Sequence, residues 1–366
     1  MAKGMRETNS KQGLVILTGG YSQRMGRDKA FLPWQGQSLL RAMVDKARRA
    51  GYRDIIISFG PKGDCAEVPE WVKLAVDIQV VHDHKRCGPL GGLAAAFALG
   101  QSDHYAVVAV DMPFVDFEPL LAADNSLTDQ VDALLMRGSK GREEPLYAVY
   151  KRSLLGSILA AIESSDWSLR AWLSTIFYKT FDLASNSMAV TNVNTPNEYK
   201  LATMRALNEA RKIPIISIVS ASRKSGKTSL VVKLTQALTA RGYRIGLVKS
   251  DGHGFTMDRE GSDTDQAMKA GAQAVAIAGP HEYALRVRTA EQASLYELTQ
   301  GFEGLDLVLL ESRSQGVAPM IEVYIPGHTE GRIGHEKDIV AHVDMTDFDG
   351  QALEDLVEGI VIPCFA

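Results

Sequence analysis

The residues best suited to chemistry sit in two loops and at the end of one apolar run. In the first loop, residues 13–17 form an apolar stretch that reads as a buried strand, and it breaks into Gly19 and Gly20. Paired glycines let a backbone approach a bound group closely, with φ values other residues avoid. The exposed amides of such a loop, with Arg24 and Lys29 beyond them, can hold a polyphosphate. Asp111 ends a second apolar run, residues 105–110, and Met112-Pro113-Phe114 follow it. A carboxylate there either caps a turn or reaches a site. In a site, with phosphate oxygens and water, it suits magnesium, which offsets phosphate charge and orients a leaving pyrophosphate. The second loop, residues 220–228, lies between an apolar strand and a helix and ends Ser225-Gly226-Lys227-Thr228. That ending is the tail of a P-loop, in which Lys227 reaches the β and γ phosphates and Thr228 ligates Mg²⁺. The pattern asks for glycine five residues before Gly226, and Ala221 stands there with a methyl that can narrow the loop.

Two smaller segments carry similar possibilities. Gly88-Pro89-Leu90-Gly91-Gly92-Leu93 is a rigid turn entering a helix. It serves either as a tight turn or as a way to bring helix-terminal amides to a base or sugar. Asn192-Val193-Asn194-Thr195-Pro196 offers two side-chain amides and a helix start. The asparagines are turn and capping residues, ligands for polar groups, or both in the case of Asn194.

The elements that must position these residues alternate between the two periods. Helical patterns cover residues 37–50, with Gly51 as the stop, and residues 90–99. Strands are expected at residues 54–59, 74–82, 105–110, 131–136 and 146–150. Strands alternating with helices predict a mostly parallel sheet covered on both faces, with ligands beyond the carboxyl ends of the strands. Gly19-Gly20 and Asp111 both fall at such ends. Thr195 is placed to cap a helix over residues 196–210, with Pro196 at its first position. A short linker follows, and the strand at 215–219 starts the pattern again. The expected fold class is α/β, with two three-layer α/β domains, residues 1–208 and 213–366, parted near Lys212.

Composition sets the frame. The chain has 366 residues, enough for two domains, and its 45% hydrophobic and 23% charged content is that of ordinary globular proteins. A net charge of −4 gives no global basic field for nucleic acid. The first eleven residues are polar and do not form a secretory signal, and no apolar run is long enough to span a membrane. Cys65, Cys87 and Cys364 are scattered, form no CxxC pair, and suggest a reducing compartment. The expected location is the cytoplasm.

The segment from Leu17 through Lys29 resembles the signature loop of the MobA-type nucleotidyltransferases, the molybdenum cofactor guanylyltransferases, whose pattern is L-x-G-G-x-S-x-R-M-G-x-D-K. The resemblance extends in order over residues 13–205. It takes in Gly88-Pro89-Leu90, Asp111-Met112-Pro113-Phe114, Glu144-Pro145-Leu146 and Asn192 to Pro196. It implies a Rossmann-like nucleotidyltransferase domain. GTP is bound by Leu17, Thr18, Gly19, Gly20, Lys29, Gly88, Pro89, Leu90 and Asp111, with Asp83 a further contributor. Lys29, Arg24 and Asp111 are the implied catalytic groups, Asp111 holds Mg²⁺, and Asn192 and Asn194 contact the acceptor. The implied reaction is attack of the terminal phosphate of molybdopterin on the α-phosphorus of GTP, with release of pyrophosphate. Transfer of CMP or of a sugar phosphate, or a mainly cofactor-binding and delivery role, are the competing readings. Gly19-Gly20, where cytidylyl enzymes tend to carry Ala-Gly, favours guanine.

The second half resembles MobB, the small P-loop adaptor of molybdopterin guanine dinucleotide synthesis. The match takes in Ser225 to Thr228, Gly246-Leu247-Val248-Lys249, Asp258, Gly261, Asp263, Ala270-Gly271-Ala272 and residues 306–311. It implies a GTP-binding domain, Glu311 as a second magnesium contact beside Thr228, and a homodimer through this half. It also implies molybdoenzyme apoproteins and cofactor-insertion proteins as partners. The chain departs from the family pattern at Ser250, Ser312 and Met320, so GTP hydrolysis is not implied. His253 is either a site residue or a loop histidine.

Overall fold

The structure is a computed structural model that describes residues 12–18, 28–61, 67–83, 87–124, 126–138, 141–165, 167–184, 187–249, 258–312, 316–327, 333 and 336–366. The chain divides into two compact units, Met1–Thr203 and Met204–Ala366.

In the first unit the elements are β1 (Gln12–Leu17), α1 (Leu39–Ala50), β2 (Ile55–Phe59), β3 (Ile78–His82), α2 (Pro89–Leu99), β4 (His104–Ala109), α3 (Glu118–Asp124), β5 (Ala133–Arg137), β6 (Glu143–Lys151), α4 (Leu155–Glu163), α5 (Leu169–Leu173), β7 (Tyr178–Asp182) and α6 (Pro196–Glu209). The strands form one sheet in the order β3-β2-β1-β4-β6-β5-β7. Strand β6 alone runs against its neighbours, while β3, β2, β1 and β4 are parallel. Every residue of β1 and β2 is buried, as expected of central parallel strands covered on both faces. One core cluster joins Val15, Ile56 and Val107 of the sheet to Leu93 and Phe97 of α2 and to Trp172 of α5.

Helix α1 begins where Ser38 accepts a hydrogen bond from the Arg41 amide, and it buries Leu39, Leu40, Met43, Val44 and Ala47. That spacing is one face of a helix. The strand expected over 74–82 is shorter. A helical turn at Glu70–Lys73 precedes it, the Leu74 amide bonds Glu70 O at 3.0 Å, and pairing with β2 starts only at Ile78. Leu74 and Val76 are 73% and 103% exposed, so the apolar letters there carry no pairing information. The strand expected at 146–150 is longer, because β6 continues through an irregularity. Leu135 pairs with Ala148, but Met136 pairs with Glu144. The extra residues 145–147 form a bulge, and Pro145, which has no N–H to donate, sits within it.

The second unit contains β8 (Ile215–Val219), α7 (Lys227–Ala240), β9 (Ile245–Lys249), α8 (Asp263–Lys269), β10 (Ala274–Ala278), β11 (Tyr283–Val287), α9 (Leu295–Thr299), β12 (Leu307–Glu311), β13 (Met320–Tyr324), β14 (Ile339–Asp344) and α10 (Gly350–Leu356). Its sheet has the order β9-β12-β8-β13-β14, all parallel. Strands β10 and β11 form a separate antiparallel hairpin. The last residues of α6 belong to this unit, and within it the fully buried Asn208 side chain bonds Cys364 O at 2.9 Å and accepts from the Ile215 amide at 3.1 Å. Among the described residues no helix is long and apolar enough to cross a membrane.

Candidate active site and phosphate loop

The carboxyl ends of β1, β2 and β4 open into a cleft of about 250 Å³ in the first unit. Its lining includes Leu17, Thr18, Lys29, Ser58, Asp83, Gly88, Asp111 and Asn194. The register explains why Thr18 and Asp111 meet there. Leu17 pairs with Ala109, and the Val110 amide bonds Leu17 O at 3.0 Å, so both strands end at one level.

Lys29 is the hub. Its ammonium lies 3.0 Å from Asp111 Oδ2 and 2.8 Å from Asn194 Oδ1. It is held at the start of a short 3-10 turn, Lys29–Phe31, in which the Asp28 carboxylate accepts from the Ala30 amide. The Val193 amide donates to Asp111 O at 2.8 Å, which fixes the asparagine loop against the end of β4. Thr195 and Glu198 cap α6 reciprocally. The Glu198 amide donates to Thr195 Oγ1 at 3.2 Å, and Glu198 Oε2 accepts from the amides of Asn194 and Thr195 at 2.7 and 2.9 Å. The sequence placed Lys29, Asp111 and Asn194 in one site, and the structure brings these three together.

The opposite side of the cleft is a polar relay. Thr18 Oγ1 donates to Ser58 O at 3.0 Å, and Ser58 Oγ donates to Asp83 Oδ1 at 3.1 Å. Gly92 of α2 packs onto this relay: a Cβ there would lie 2.8 Å from Ser58 Oγ and 2.9 Å from Leu17 Cδ2. Gly88 precedes α2 with φ 60°, ψ −149°, a conformation that side-chain-bearing residues avoid. Gly88 and Pro89 line the cleft. Leu90 does not: it is fully buried in the core cluster beside Leu93 and Phe97, and it supports the turn from beneath. Asn192 is not among the residues that line the cleft, and it lies near Glu144, whose carboxyl it helps hold against the rise that burial causes. Gly19, Gly20 and Arg24 lie outside the described residues, as does His253.

Among the described residues no group of three or more His, Cys, Asp or Glu side chains gathers, so a divalent cation in the cleft would meet Asp111 as a single strand-end carboxylate, with phosphate oxygens and water filling its shell. The Asp111 carboxylate ends a strand, lines the cleft and already carries a cation, the Lys29 ammonium. Ser58 escaped the sequence reading although its signal was present, as a buried hydroxyl inside the apolar run 55–59. Glu144 and Leu146 were singled out only as part of the Glu144-Pro145-Leu146 segment of the resemblance, without a role, and the bulge in β6 was not announced by any strand pattern.

In the second unit the residues 223–229 surround a cavity of about 500 Å³ with Lys249, Glu311, Ser312 and Ile325. Gly226 has φ 91° and caps α7. Lys227 Nζ donates to Ser222 O at 3.0 Å and Ser225 Oγ at 3.2 Å, curling the loop around the lysine. Thr228 Oγ1 donates to Glu311 Oε1 at 3.0 Å, and Lys249 Nζ lies 3.4 Å from the same oxygen. The Thr228 hydroxyl and the Glu311 carboxylate are thus adjacent oxygen donors at a helix N-terminus, a set that fits magnesium. Ala221 is exposed and does not have positive φ, so its backbone carries no left-handed strain. Lys224, at φ 54°, occupies the left-handed conformation instead. Lys249 was not foreseen as a site residue. Its signal was a charged residue ending an otherwise apolar strand.

Comparison with known proteins gives the two units separate relatives. Residues 14–180 match the family model of the MobA-like NTP transferase domain. Residues 215–345 match that of molybdopterin guanine dinucleotide synthesis protein B, MobB. A probable molybdenum cofactor guanylyltransferase of Bacillus cereus (strain G9842) is 28% identical over 201 residues, 53% of this chain and 97% of that protein. A second, from Bacillus thuringiensis (strain Al Hakam), is 28% identical over 206 residues, 55% of this chain and 100% of the relative. Among solved structures, molybdopterin-guanine dinucleotide biosynthesis protein A from Archaeoglobus fulgidus is 22% identical, with 52% of this chain and 96% of that one covered and a TM-score of 0.42.

Proposed function

We propose, from a chain that carries a MobA-like NTP transferase domain followed by a MobB domain, that this protein is a guanylyltransferase that moves GMP from GTP onto molybdopterin. The observation that carries the reading is the Lys29 ammonium, held between Asp111 and Asn194 over the carboxyl ends of β1 and β4. A terminal phosphate oxygen of molybdopterin attacks the α-phosphorus of GTP. The bond from that phosphorus to its bridging oxygen breaks, and pyrophosphate leaves with the electron pair. The product is the guanine dinucleotide form of the cofactor. No covalent enzyme intermediate is needed. Catalysis is orientation and charge stabilisation.

The residues divide the work. Lys29 turns from Asp111 to the phosphates and meets charge as it develops. Thr18, Asp83, Gly88 and Pro89 form the nucleotide side, with Gly19, Gly20 and Arg24 completing the loop. Asn192 and Asn194 form the acceptor side. Asp111 would hold Mg²⁺ in the first unit, and Thr228 with Glu311 would hold it in the second. Bound there, the ion offsets phosphate charge and steadies the leaving group.

The second domain binds GTP through Ser225 to Thr228 and acts on the transferase in cis, at the high effective concentration of a tether. We place the two activities in residues 1–208 and 213–366, and the protein in the cytoplasm, where GTP is made. Cofactor-insertion proteins and molybdoenzyme apoproteins are the partners that would take the product. The hairpin β10–β11 supports a homodimer through this half. Ala276 faces Leu285, Ala278 faces Tyr283, and these residues are exposed. An isolated two-stranded hairpin is marginal in water.

Pyrophosphate release, measured with the full chain, Mg²⁺ and molybdopterin against GTP, CTP and ATP in parallel, tests the reading. Release with GTP alone is expected. Release with CTP in preference to GTP would make the protein a cytidylyltransferase, and none with any nucleotide would remove the enzymatic reading.

A further inference from the structure

Lys29 is joined to two loops in the cleft, and each junction has a second tie outside it. The Lys29 turn runs into a small hairpin in which Pro33–Trp34 pairs antiparallel with Gln37–Ser38. Gln35 and Gly36 between them both have positive φ, 47° and 83°, the turn form that matches the twist of paired strands. The Tyr199 hydroxyl, on the first turns of α6, donates to Pro33 O. The buried Trp34 ring meets the Phe114 ring edge-on, with centroids 5.6 Å apart and planes at 82°. Pro33, Trp34, Phe114 and Tyr199 are not among the residues that line the cleft.

Residues 29–34 and 194–199 are therefore linked twice. Lys29 Nζ reaches Asn194 Oδ1 at 2.8 Å inside the cleft, and Pro33 O meets Tyr199 outside it. Residues 29–34 and 111–114 follow the same plan, with Lys29 3.0 Å from Asp111 Oδ2 at one end and Trp34 against Phe114 at the other. Two links fix the orientation of one segment on another, where a single link leaves a pivot. Within α6 the Tyr199 amide bonds Thr195 O at 3.0 Å, so one helical turn carries the tie to the residue beside Asn194. The links inside the cleft are the ones a triphosphate breaks when it draws Lys29 away. The outer ties remain.

We propose that Tyr199 is a positioning residue for the acceptor. Its hydroxyl holds the start of α6, and with it Asn194, against the lysine turn once the nucleotide has taken Lys29. The Asp111 loop keeps its own tie through Trp34 and Phe114, so loss of the Tyr199 hydroxyl touches the acceptor side and spares the nucleotide side. The proposal rests on the guanylyl-transfer reading, with Asn194 on the acceptor side.

Steady-state kinetics of the full chain, with GTP and molybdopterin varied separately, tests it. Tyr199→Phe keeps the ring and removes the donor. It is expected to raise the KM for molybdopterin by about three- to tenfold, the scale of one lost hydrogen bond, while the KM for GTP moves much less. Asn194→Ala should raise the same KM, and the double variant should be no worse than Asn194→Ala alone, because the hydroxyl acts through that asparagine. Thermal melts of the same proteins separate positioning from plain support of the fold. A lowered Tm with no selective rise in the KM for molybdopterin, equal shifts in both KM values, no shift, or defects that multiply in the double variant would overturn the proposal while leaving the transferase reading intact. A wild-type protein that releases no pyrophosphate would overturn the reading and the proposal together.

Discussion

Lys29 has two partners, Asp111 Oδ2 and Asn194 Oδ1, and a triphosphate entering the cleft competes for it with far more charge than either. The pair is therefore best understood as a resting arrangement. The carboxylate keeps the ammonium aimed into the site, and the ligand takes it over. Lys29→Met should lower kcat by roughly 10²-fold, on the scale of losing one preorganised electrostatic contact. Gly92→Ala pushes a methyl into the Ser58 and Asp83 relay. It should raise the KM for GTP more than that for molybdopterin, as initial-rate measurements would show. Asp111 was legible in the sequence because a carboxylate at the end of an apolar run is out of place unless it serves a site, Lys29 because it closes the glycine loop, and Asn194 through the Asn192-to-Pro196 segment of the resemblance. Ser58 was as legible and was passed over. Glu144 was picked out only with its matched segment, and its burial depends on the bulge, which its letters do not announce.

At the scale of elements, the parallel core was readable because β1, β2 and β4 are predominantly apolar, and α1 because its buried positions repeat at helical spacing. The start of β3 was misread because Leu74 and Val76 are apolar yet face solvent, so hydrophobicity there reports neither strand nor core. The last turn of α1 is joined to the entry of β3 by a two-pronged pair: Arg48 Nε lies 2.7 Å from Asp77 Oδ2, and Nη2 lies 2.6 Å from Oδ1. The hydrogen bonds from Arg48 hold the Asp77 carboxyl below its usual range. A depressed carboxyl contributes stability above its unfolded pKa and loses it as pH falls through the folded value. Asp77→Asn should therefore cost about 0.5–1 kcal/mol near pH 7, the discount reflecting its partial exposure. The difference from wild type should vanish at pH values below the carboxylate range, as urea titrations across pH would report. In the second unit, Cys364 is buried and its thiol is pushed up to about 12. It should stay unmodified by thiol reagents at pH 8 until the unit unfolds, which mass spectrometry after timed labelling would show.

At the scale of the whole molecule, the chain holds two candidate phosphate sites of different character. The first unit gathers a lysine, two carboxylates and one amide around its cleft, Lys29, Asp83, Asp111 and Asn194. The second gathers Lys227, Lys249 and a Thr228–Glu311 pair around a P-loop that tolerates Ala221. The first set can orient two substrates and a leaving group, and the second can hold a nucleotide. The sequence announced both loops, yet could not say that Ala221 sits without backbone strain, because that depends on a backbone angle and not on a letter. The central claim is that guanylyl transfer takes place at Lys29 and Asp111 in the first unit. The most direct test is pyrophosphate release from GTP and molybdopterin by two variants of the full chain, Asp111→Asn and Lys227→Ala, beside wild type. The account predicts a loss on the order of 10²-fold or more for Asp111→Asn, with Lys227→Ala retaining most of the wild-type rate. Release that survives Asp111→Asn and disappears in Lys227→Ala would contradict it.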